Sequence, residues 1–398
     1  MSTLPPHHAN PTRTHFHNPW PPLQSISRSA LSLLKLPIER DGSEGFSEEF
    51  IAGIDVTTIP LTFEQSRYEE KGSLSVAWLG HAGFLLEFHT SNGQTLRVLC
   101  DPIFADRASP SKYFGPKRRL PPPCTVDDFP SIDFVVISHN HYDHLDEEFI
   151  SQLNARFPGA IQYMVPLGVK LLLVSLGIAE DSIHELDWWE EKQLPGSDLE
   201  FICTPAQHNS GRGVLDQSTT LWASWIIRLR PHAPTCEIEK ESLTSLEIAN
   251  RTIYPSVWFA GDTGYQTASG PCPAFKEIGD RHGPFDLALI PIWRGASLSF
   301  LSKLGYRLTD DNVLATLHAT PEDAVHMQHD VKARRAIAMH FATFVGSVEE
   351  AREPVQRLKN ASKGTWTDLM ATDNTGKLRW RKDGGFGVVN IGQRVDVI

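Results

Sequence analysis

The chain has few cysteines, no long apolar run and no excess of positive charge, and each shortage closes off a class of protein. Its five cysteines, Cys100, Cys124, Cys203, Cys236 and Cys272, are odd in number and none stands at C-x-x-C spacing. Nothing therefore points to a disulfide framework, and with no secretory apolar segment at the start they read as reduced, mostly buried thiols of an intracellular protein. The most apolar stretch, Val165 to Ala179, is too short to cross a bilayer and carries Lys170. It reads as a buried helix, so any membrane contact is peripheral. A net charge of −11 disfavours a phosphate backbone as the main partner, because that takes a basic surface. No nucleic-acid partner is expected.

The first 38 residues lack Asp and Glu altogether. Their early part, through His17, reads as loosely draped chain, and His7, His8, His15 and His17 as solvated side chains. From Leu23 to Leu36 the apolar residues Leu23, Ile26, Ala30, Leu33 and Leu34 fit a short amphipathic helix. It is a lipid-surface anchor, an acid-poor organelle-targeting segment, or a terminal helix packed on its own domain. Residues 1–45 are accordingly set apart as an N-terminal tail, and 46–398 as one catalytic domain. The location that follows is cytoplasmic or peripheral at a membrane, or organellar (mitochondrial) if the tail is a targeting signal.

What is present is a series of apolar strands alternating with helices from Leu74 onward: Ser75–Leu79, Phe84–Phe88, Leu96–Cys100, Phe134–Ser138, Ile161–Val165, Phe201–Thr204, Leu221–Leu229, Val257–Ala260, Leu287–Pro291 and Ala336–Met339. Helices are expected over Glu147–Phe157 and Pro321–Gln328. That alternation predicts a layered α/β domain. Two stretches, Pro231–Pro255 and Arg294–Thr316, read as inserted loops.

The chemistry is concentrated where strands stop. Phe134-Val135-Val136-Ile137-Ser138 runs straight into His139-Asn140-His141-Tyr142-Asp143-His144, four metal-donor side chains in a six-residue loop. Imidazole and carboxylate are good zinc donors, and a short loop lowers the entropic cost of assembling them. Three later strands end the same way, at His208, Asp262 and His340. Strand ends along one edge of α/β sheets are where ligands bind, so the seven form one set. Asp101 closes a further strand, either as a turn residue before Pro102 or as a partner of the ligand loop.

The motif His139-Asn140-His141-Tyr142-Asp143-His144 resembles the H-x-H-x-D-H signature of the metallo-β-lactamase superfamily, which implies a four-layer αββα sandwich. The resemblance implies two Zn2+ per chain: His139, His141 and His208 on one, Asp143, His144 and His340 on the other, and Asp262 bridging. It implies for Asp101 the role of a carboxylate that steadies the ligand loop. The segments Trp78–Ala82, Asp101–Phe104, Arg107–Ser111, Gly115–Arg118, Glu185–Glu191, Gly261–Tyr265 and Gly283–Leu287 are similar to the N-acyl-phosphatidylethanolamine-hydrolysing phospholipase D family. The likeness runs from about Ser75 to Gly346, and the two inserted loops depart from it.

That family implies phosphodiester hydrolysis of a membrane phospholipid, with N-acylethanolamine and phosphatidic acid as products, and a homodimer. Asp143 and Asp262 are then catalytic as well as ligating. His318 is expected to be a general acid or headgroup contact, or else a neighbour of a helix cap. Tyr142 lines the pocket or packs below the loop. Iron and manganese also suit mixed His and Asp donors. Lactone, thioester or other phosphodiester hydrolysis, or lipid binding without catalysis, stand as alternatives on the same fold.

Overall fold

The computed structural model describes residues 4–22, 37–41, 55–63, 71–213, 215–230, 254–294, 299–309, 316–370, 380 and 384–397. In chain order its main strands begin with β1 (Leu74–Gly80), β2 (Gly83–His89), β3 (Thr95–Cys100), β4 (Phe134–Val136), β5 (Gln162–Pro166) and β6 (Ile183–Leu186). There follow β7 (Glu191–Gln193), β8 (Leu199–Thr204), β9 (Ser224–Leu229), β10 (Ser256–Phe259) and β11 (Leu287–Pro291). The last are β12 (Arg335–Met339), β13 (Trp366–Asp368), β14 (Gly385–Val388) and β15 (Arg394–Asp396). The helices are α1 (Glu147–Arg156), α2 (Lys170–Ser175), α3 (Pro273–His282), α4 (Pro321–Asp330) and α5 (Val348–Ala361).

These strands form a seven-stranded sheet, β15-β1-β2-β3-β4-β5-β6, and an eight-stranded sheet, β13-β14-β12-β11-β10-β9-β8-β7. Alternate residues of a strand face opposite sides, and here both sides are covered. In β1, Val76 and Trp78 point into the core between the sheets with Trp225 and Phe259, whereas Trp258 faces the other way, against Phe275. Ala77 and Leu79 point outward, into a second core with Phe149, Ile150 and Leu153 of α1. On the far side, Phe275 and Ile278 of α3, Met327 of α4 and Leu358 of α5 pack on the other sheet. Helix, sheet, sheet, helix is the expected αββα order. It explains why the strands read as continuous apolar runs: both faces are buried.

Val165 to Ala179 does not form one buried helix. Val165 and Pro166 end β5, and the chain then turns at Gly168 (φ +88°), where a Cβ would lie 3.0 Å from the Thr219 carbonyl oxygen. Only six residues are helical, and of these Leu173 is buried whereas Leu171 is 79% exposed. Short apolar runs of this kind have no periodicity that separates strand from helix. Within 294–316, Ser299–Ser302 is helical and Tyr306–Leu308 pairs antiparallel with Ile38–Arg40, so this stretch carries secondary structure of its own. The expected helix at Leu23–Leu36 and nearly all of the 231–255 loop lie outside the described residues.

The tail is not loosely draped where it is described. His7 and His8 are buried, and their Nε2 atoms lie 2.7 Å from the two carboxylate oxygens of Asp187. His7 stacks on Trp188 with ring centroids 4.2 Å apart. The Phe16 amide donates to the Ser218 carbonyl, and Asn18 Nδ2 to the His208 carbonyl at 2.7 Å. Only His15 and His17 are exposed as expected. Residues 4–22 therefore belong to the packed domain. Composition could not reveal this, because the partner residues lie some 180 positions away.

His7, His8 and Asp187 could in principle hold a metal, but the hydrogen bonding favours a clamp. Arg13 Nη1 stands 3.7 Å from Asp187, and His8 Nδ1 has no partner. Metal on Nε2 would require a buried Nδ1–H with no acceptor, whereas a neutral ring donating from Nε2 leaves only a lone pair unmatched. Asp187→Ala is expected to lower stability by about 1–3 kcal/mol and to expose residues 4–22 to protease; a denaturation curve and limited proteolysis check both.

Candidate metal centre

Strand β4 ends at Val136, and the chain is then led out of the sheet by Ser138, whose backbone N–H donates to Asp101 Oδ1 at 2.7 Å and whose hydroxyl donates to Asp101 Oδ2. The His139–His144 loop follows. Asp146 closes it by capping α1 through the Phe149 amide and by accepting the Phe104 and Ala105 amides at 3.0 and 2.8 Å. The loop is thus pinned at both ends. His208, Asp262 and His340 arrive from the ends of β8, β10 and β12 on the facing sheet. Gly261, just before Asp262, is in the left-handed region, and a Cβ there would stand 2.6 Å from Ser138 Cβ. Only glycine lets the two sheets approach closely enough to share one centre.

All seven expected side chains converge, and they form two groups. His139, His141 and His208 make one, with His139 Nε2 2.8 Å and His208 Nε2 3.4 Å from His141 Nδ1. Asp143, His144 and His340 make the other, together with His81. Asp262 Oδ2 lies between them, 3.2 Å from His144 Nε2, 3.1 Å from His340 Nε2 and 3.7 Å from His208 Nε2. His144 donates its Nδ1 proton to Asp101 Oδ2 at 2.7 Å, which turns Nε2 toward the centre.

This donor set fits metal ions and is hard to account for without them. His144 Nε2, His340 Nε2 and Asp262 Oδ1 are buried with no hydrogen-bond partner, and three imidazoles point nitrogens at one space where a single proton satisfies at most one pair. Burial opposes charge on His144 and His340, yet Asp262 and Asp143 outweigh it. His144 is raised well above the ordinary histidine value and His340 to about 9. For His139 and His208 burial prevails and holds both well below it. Burial also works against charge on Asp143 and Asp262, but the neighbouring histidines hold both carboxyls ionised.

Ligating nitrogens must be free of protons. Metal uptake is therefore expected to release protons from His144 and His340, and affinity to fall as pH is lowered below about 9. Titration of the metal-stripped protein in weak buffer, with a pH indicator, checks this.

Residues 96–341, more than half the chain, match the Beta-lactamase superfamily domain. The chain is 33% identical over 310 residues to N-acyl-phosphatidylethanolamine-hydrolyzing phospholipase D 1 of Caenorhabditis elegans, covering 76% of this chain and 74% of that protein. It is 36% identical over 338 residues to an uncharacterized protein of Mycobacterium tuberculosis, covering 81% and 76%. The chain belongs to the beta-lactamase superfamily. It is a metal-dependent hydrolase of that superfamily. A further relative, 29% identical over 81% of this chain and 59% of its own length, is the mitochondrial N-acyl-phosphatidylethanolamine-hydrolyzing phospholipase D of Saccharomyces cerevisiae.

As a superfamily member the chain adds His81, which sequence reasoning quoted within a motif but gave no role. Its Nε2 lies 2.9 Å from Asp143 Oδ2, and burial lowers its pKa to about 3, so it is a neutral donor that orients that carboxylate. His81, Asp101 and His340 all hold left-handed backbone, with φ of 53°, 37° and 64°. For residues other than glycine this is strained, and these three of the eight such residues described sit at the centre. The signal available in sequence was Gly80-His81-Ala82-Gly83, a tight turn with a histidine in it.

Tyr142 departs from expectation. It does not line the cavity; its ring lies under the Arg212 guanidinium, 3.8 Å away. Arg212 also donates to the Asn140 and Leu145 carbonyls, so this pair braces the ligand loop from outside. His318 does reach the centre: its Nδ1 lies 3.7 Å from Asp262 Oδ2, and its ring packs on those of His340 and Trp293.

The Glu185–Glu191 motif, which carried much of the family resemblance, is a brace that adds no residue to the two donor groups or to the cavity lining. Glu185 accepts the Gly168 and Lys170 amides, Asp187 clamps the tail, and Trp188 Nε1 donates to the Trp222 carbonyl.

The centre opens into a cavity of about 800 Å³. Asp143, His318 and His340 line it together with the cations Arg107, Lys117, Arg119 and Lys303 and the apolar side chains Ile292, Phe341, Phe344 and Val345. No helix among the described residues is long and apolar enough to cross a membrane.

Proposed function

We propose that the chain is a two-zinc phosphodiesterase that hydrolyses N-acyl-phosphatidylethanolamine to an N-acylethanolamine and phosphatidic acid. The observation that carries this reading is the cavity over the seven-donor cluster: cations and apolar side chains line it together, a combination suited to a phosphate that bears acyl chains. The names of the worm and yeast relatives favour the same substrate.

His139, His141 and His208 would hold one ion and Asp143, His144 and His340 the other, with Asp262 shared. Bound there, a pair of divalent cations supplies Lewis-acid charge to the phosphoryl oxygens and lowers the proton affinity of a water.

The chain's own residues do the rest. Arg107, Lys117 and Arg119 draw the phosphate in and hold it by charge, while Phe341, Phe344 and Val345 take apolar chain and exclude water. Asp101 and His81 keep His144 and Asp143 in one orientation, so no reorganisation is needed during reaction. His318 is neutral at pH 7, because burial lowers its pKa to about 4. It therefore carries no standing proton for a leaving alkoxide, and we assign it to the headgroup as a hydrogen-bond partner.

The test is incubation of purified protein with N-acyl-phosphatidylethanolamine and with plain phosphatidylethanolamine. N-acylethanolamine released from the first and abolished by a chelator is expected; chelator-resistant release, or none, overturns the reading. His318→Ala is expected to lower kcat/KM by roughly 10–100-fold with metal content unchanged, and loss of metal would reassign it as a ligand. A lipid substrate also places the protein at a membrane surface, mitochondrial if the location in the yeast relative's name carries over.

A further inference from the structure

The segment from Asp106 to Arg119 holds five cations, Arg107, Lys112, Lys117, Arg118 and Arg119, against the single acid Asp106, in a chain of net charge −11. At its tip Tyr113 is 83% and Phe114 76% exposed, adjacent aromatic side chains with little cover. Solvated aromatics side by side are costly unless something covers them.

The segment is a stiff hairpin. Arg107 pairs antiparallel with Lys117, and the Ala108 amide donates to the Pro116 carbonyl. Arg107 Nε donates to the Lys112 carbonyl at 3.1 Å and its Nη1 to the Gly115 carbonyl at 2.8 Å. Ser111 Oγ accepts the Tyr113 and Phe114 amides. Gly115 has φ +98°, and a Cβ there would stand 2.5 Å from Ser109 Cβ, so the turn depends on glycine. These bonds hold the aromatic pair outward, and little side-chain order remains to be lost on contact.

We infer that this hairpin seats the protein on an anionic phospholipid bilayer, with Tyr113 and Phe114 entering the interface and Lys112, Lys117 and Arg119 meeting the headgroups. Three features favour a bilayer over a protein partner. Aromatic side chains flanked by lysine and arginine match the apolar boundary and negative potential of such a surface. The ion pairs that compete for the lysines, Lys112 with Glu148 and Lys117 with Asp106, are exposed and therefore weak. And residues of the same hairpin, Arg107, Gly115, Pro116 and Lys117, line the cavity that holds Asp143, His318 and His340. Lys303 also lines the cavity, and its neighbour Leu304 is 70% exposed. A bilayer touching the tip would deliver lipid directly to the centre. The inference rests on the proposed lipid substrate for its purpose, but not for its test.

The metal-loaded protein is sedimented with vesicles of phosphatidylcholine alone and of phosphatidylcholine with phosphatidylglycerol. Binding to the anionic vesicles that weakens with salt is expected, and the double variant Y113S/F114S should lose about tenfold or more in affinity. Because both side chains are exposed and lie outside the cavity, hydrolysis of a soluble, short-chain phosphodiester should be unchanged in that variant. F114W should show a blue-shifted emission on anionic vesicles. Equal vesicle binding by wild type and Y113S/F114S, or no binding by wild type to either vesicle, overturns the inference. Vesicle binding without turnover of any phosphodiester would instead sink the proposed reaction and leave the docking hairpin standing.

Discussion

Asp262→Asn is expected to reduce kcat by roughly 10²–10³-fold or more and to lower the metal content. The carboxylate lies between the two donor groups, within 3.2 Å of His144 and His340 and 3.7 Å of His208, and it is almost wholly buried. Asparagine keeps the shape and removes the charge. Burial works against charge on His144 and His340, and they are held protonated in the metal-free protein because Asp262 and Asp143 together outweigh it, Asp262 contributing most among the charges. Without it, two clusters of imidazole share one site with less negative charge to offset a pair of cations. Turnover measured beside metal content by elemental analysis decides the matter. Near-normal kcat with two metals bound would show that the centre does not depend on a shared carboxylate.

Asp101→Ala is expected to cost about 3–5 kcal/mol of stability, the penalty for stranding a buried ionic partner, and to weaken metal binding roughly 10–100-fold. Asp101 is fully buried and accepts from the Ser138 amide, the Ser138 hydroxyl and His144 Nδ1. Alanine leaves all three donors facing an apolar wall. It also frees His144 to rotate or to shift its proton from Nδ1 to Nε2, the atom required as a ligand. A urea titration gives the stability and a competitive chelator the metal affinity. If neither moves, Asp101 is the plain turn residue that its place before Pro102 allows.

The seven donors were legible in sequence because each stands at the end of a buried strand. Apolar runs with both faces covered are conspicuous, and the polar residue that stops one is conspicuous with them. The layered fold was legible for the same reason. His81 was less so: its role requires the turn after β1 to bend into the left-handed region and lay the ring against Asp143, and no spacing encodes that. Tyr142 was misplaced because a loop residue between ligands can face the cavity or the outside. Arg212, some seventy positions away, decides in favour of the outside. His7 and His8 were read as solvated from an acid-poor, proline-rich neighbourhood, yet Asp187 buries them.

By itself, then, the sequence determined which side chains can ligate, which strands carry them, and that the domain is a layered α/β one; the αββα order was what the family resemblance implied. The former follow from local pattern: hydrophobic periodicity and the residue that ends each run. The division of the donors around Asp262 was already implied by the family resemblance; only the tertiary structure decided which carboxylate His81 steadies, that the Glu185–Glu191 motif is a brace, and that Tyr113 and Phe114 stand exposed beside residues that line the cavity. Each of these is a contact or an exposure set by chain segments far apart in sequence, and such pairings are fixed by packing, whose energy depends on shape and burial in three dimensions.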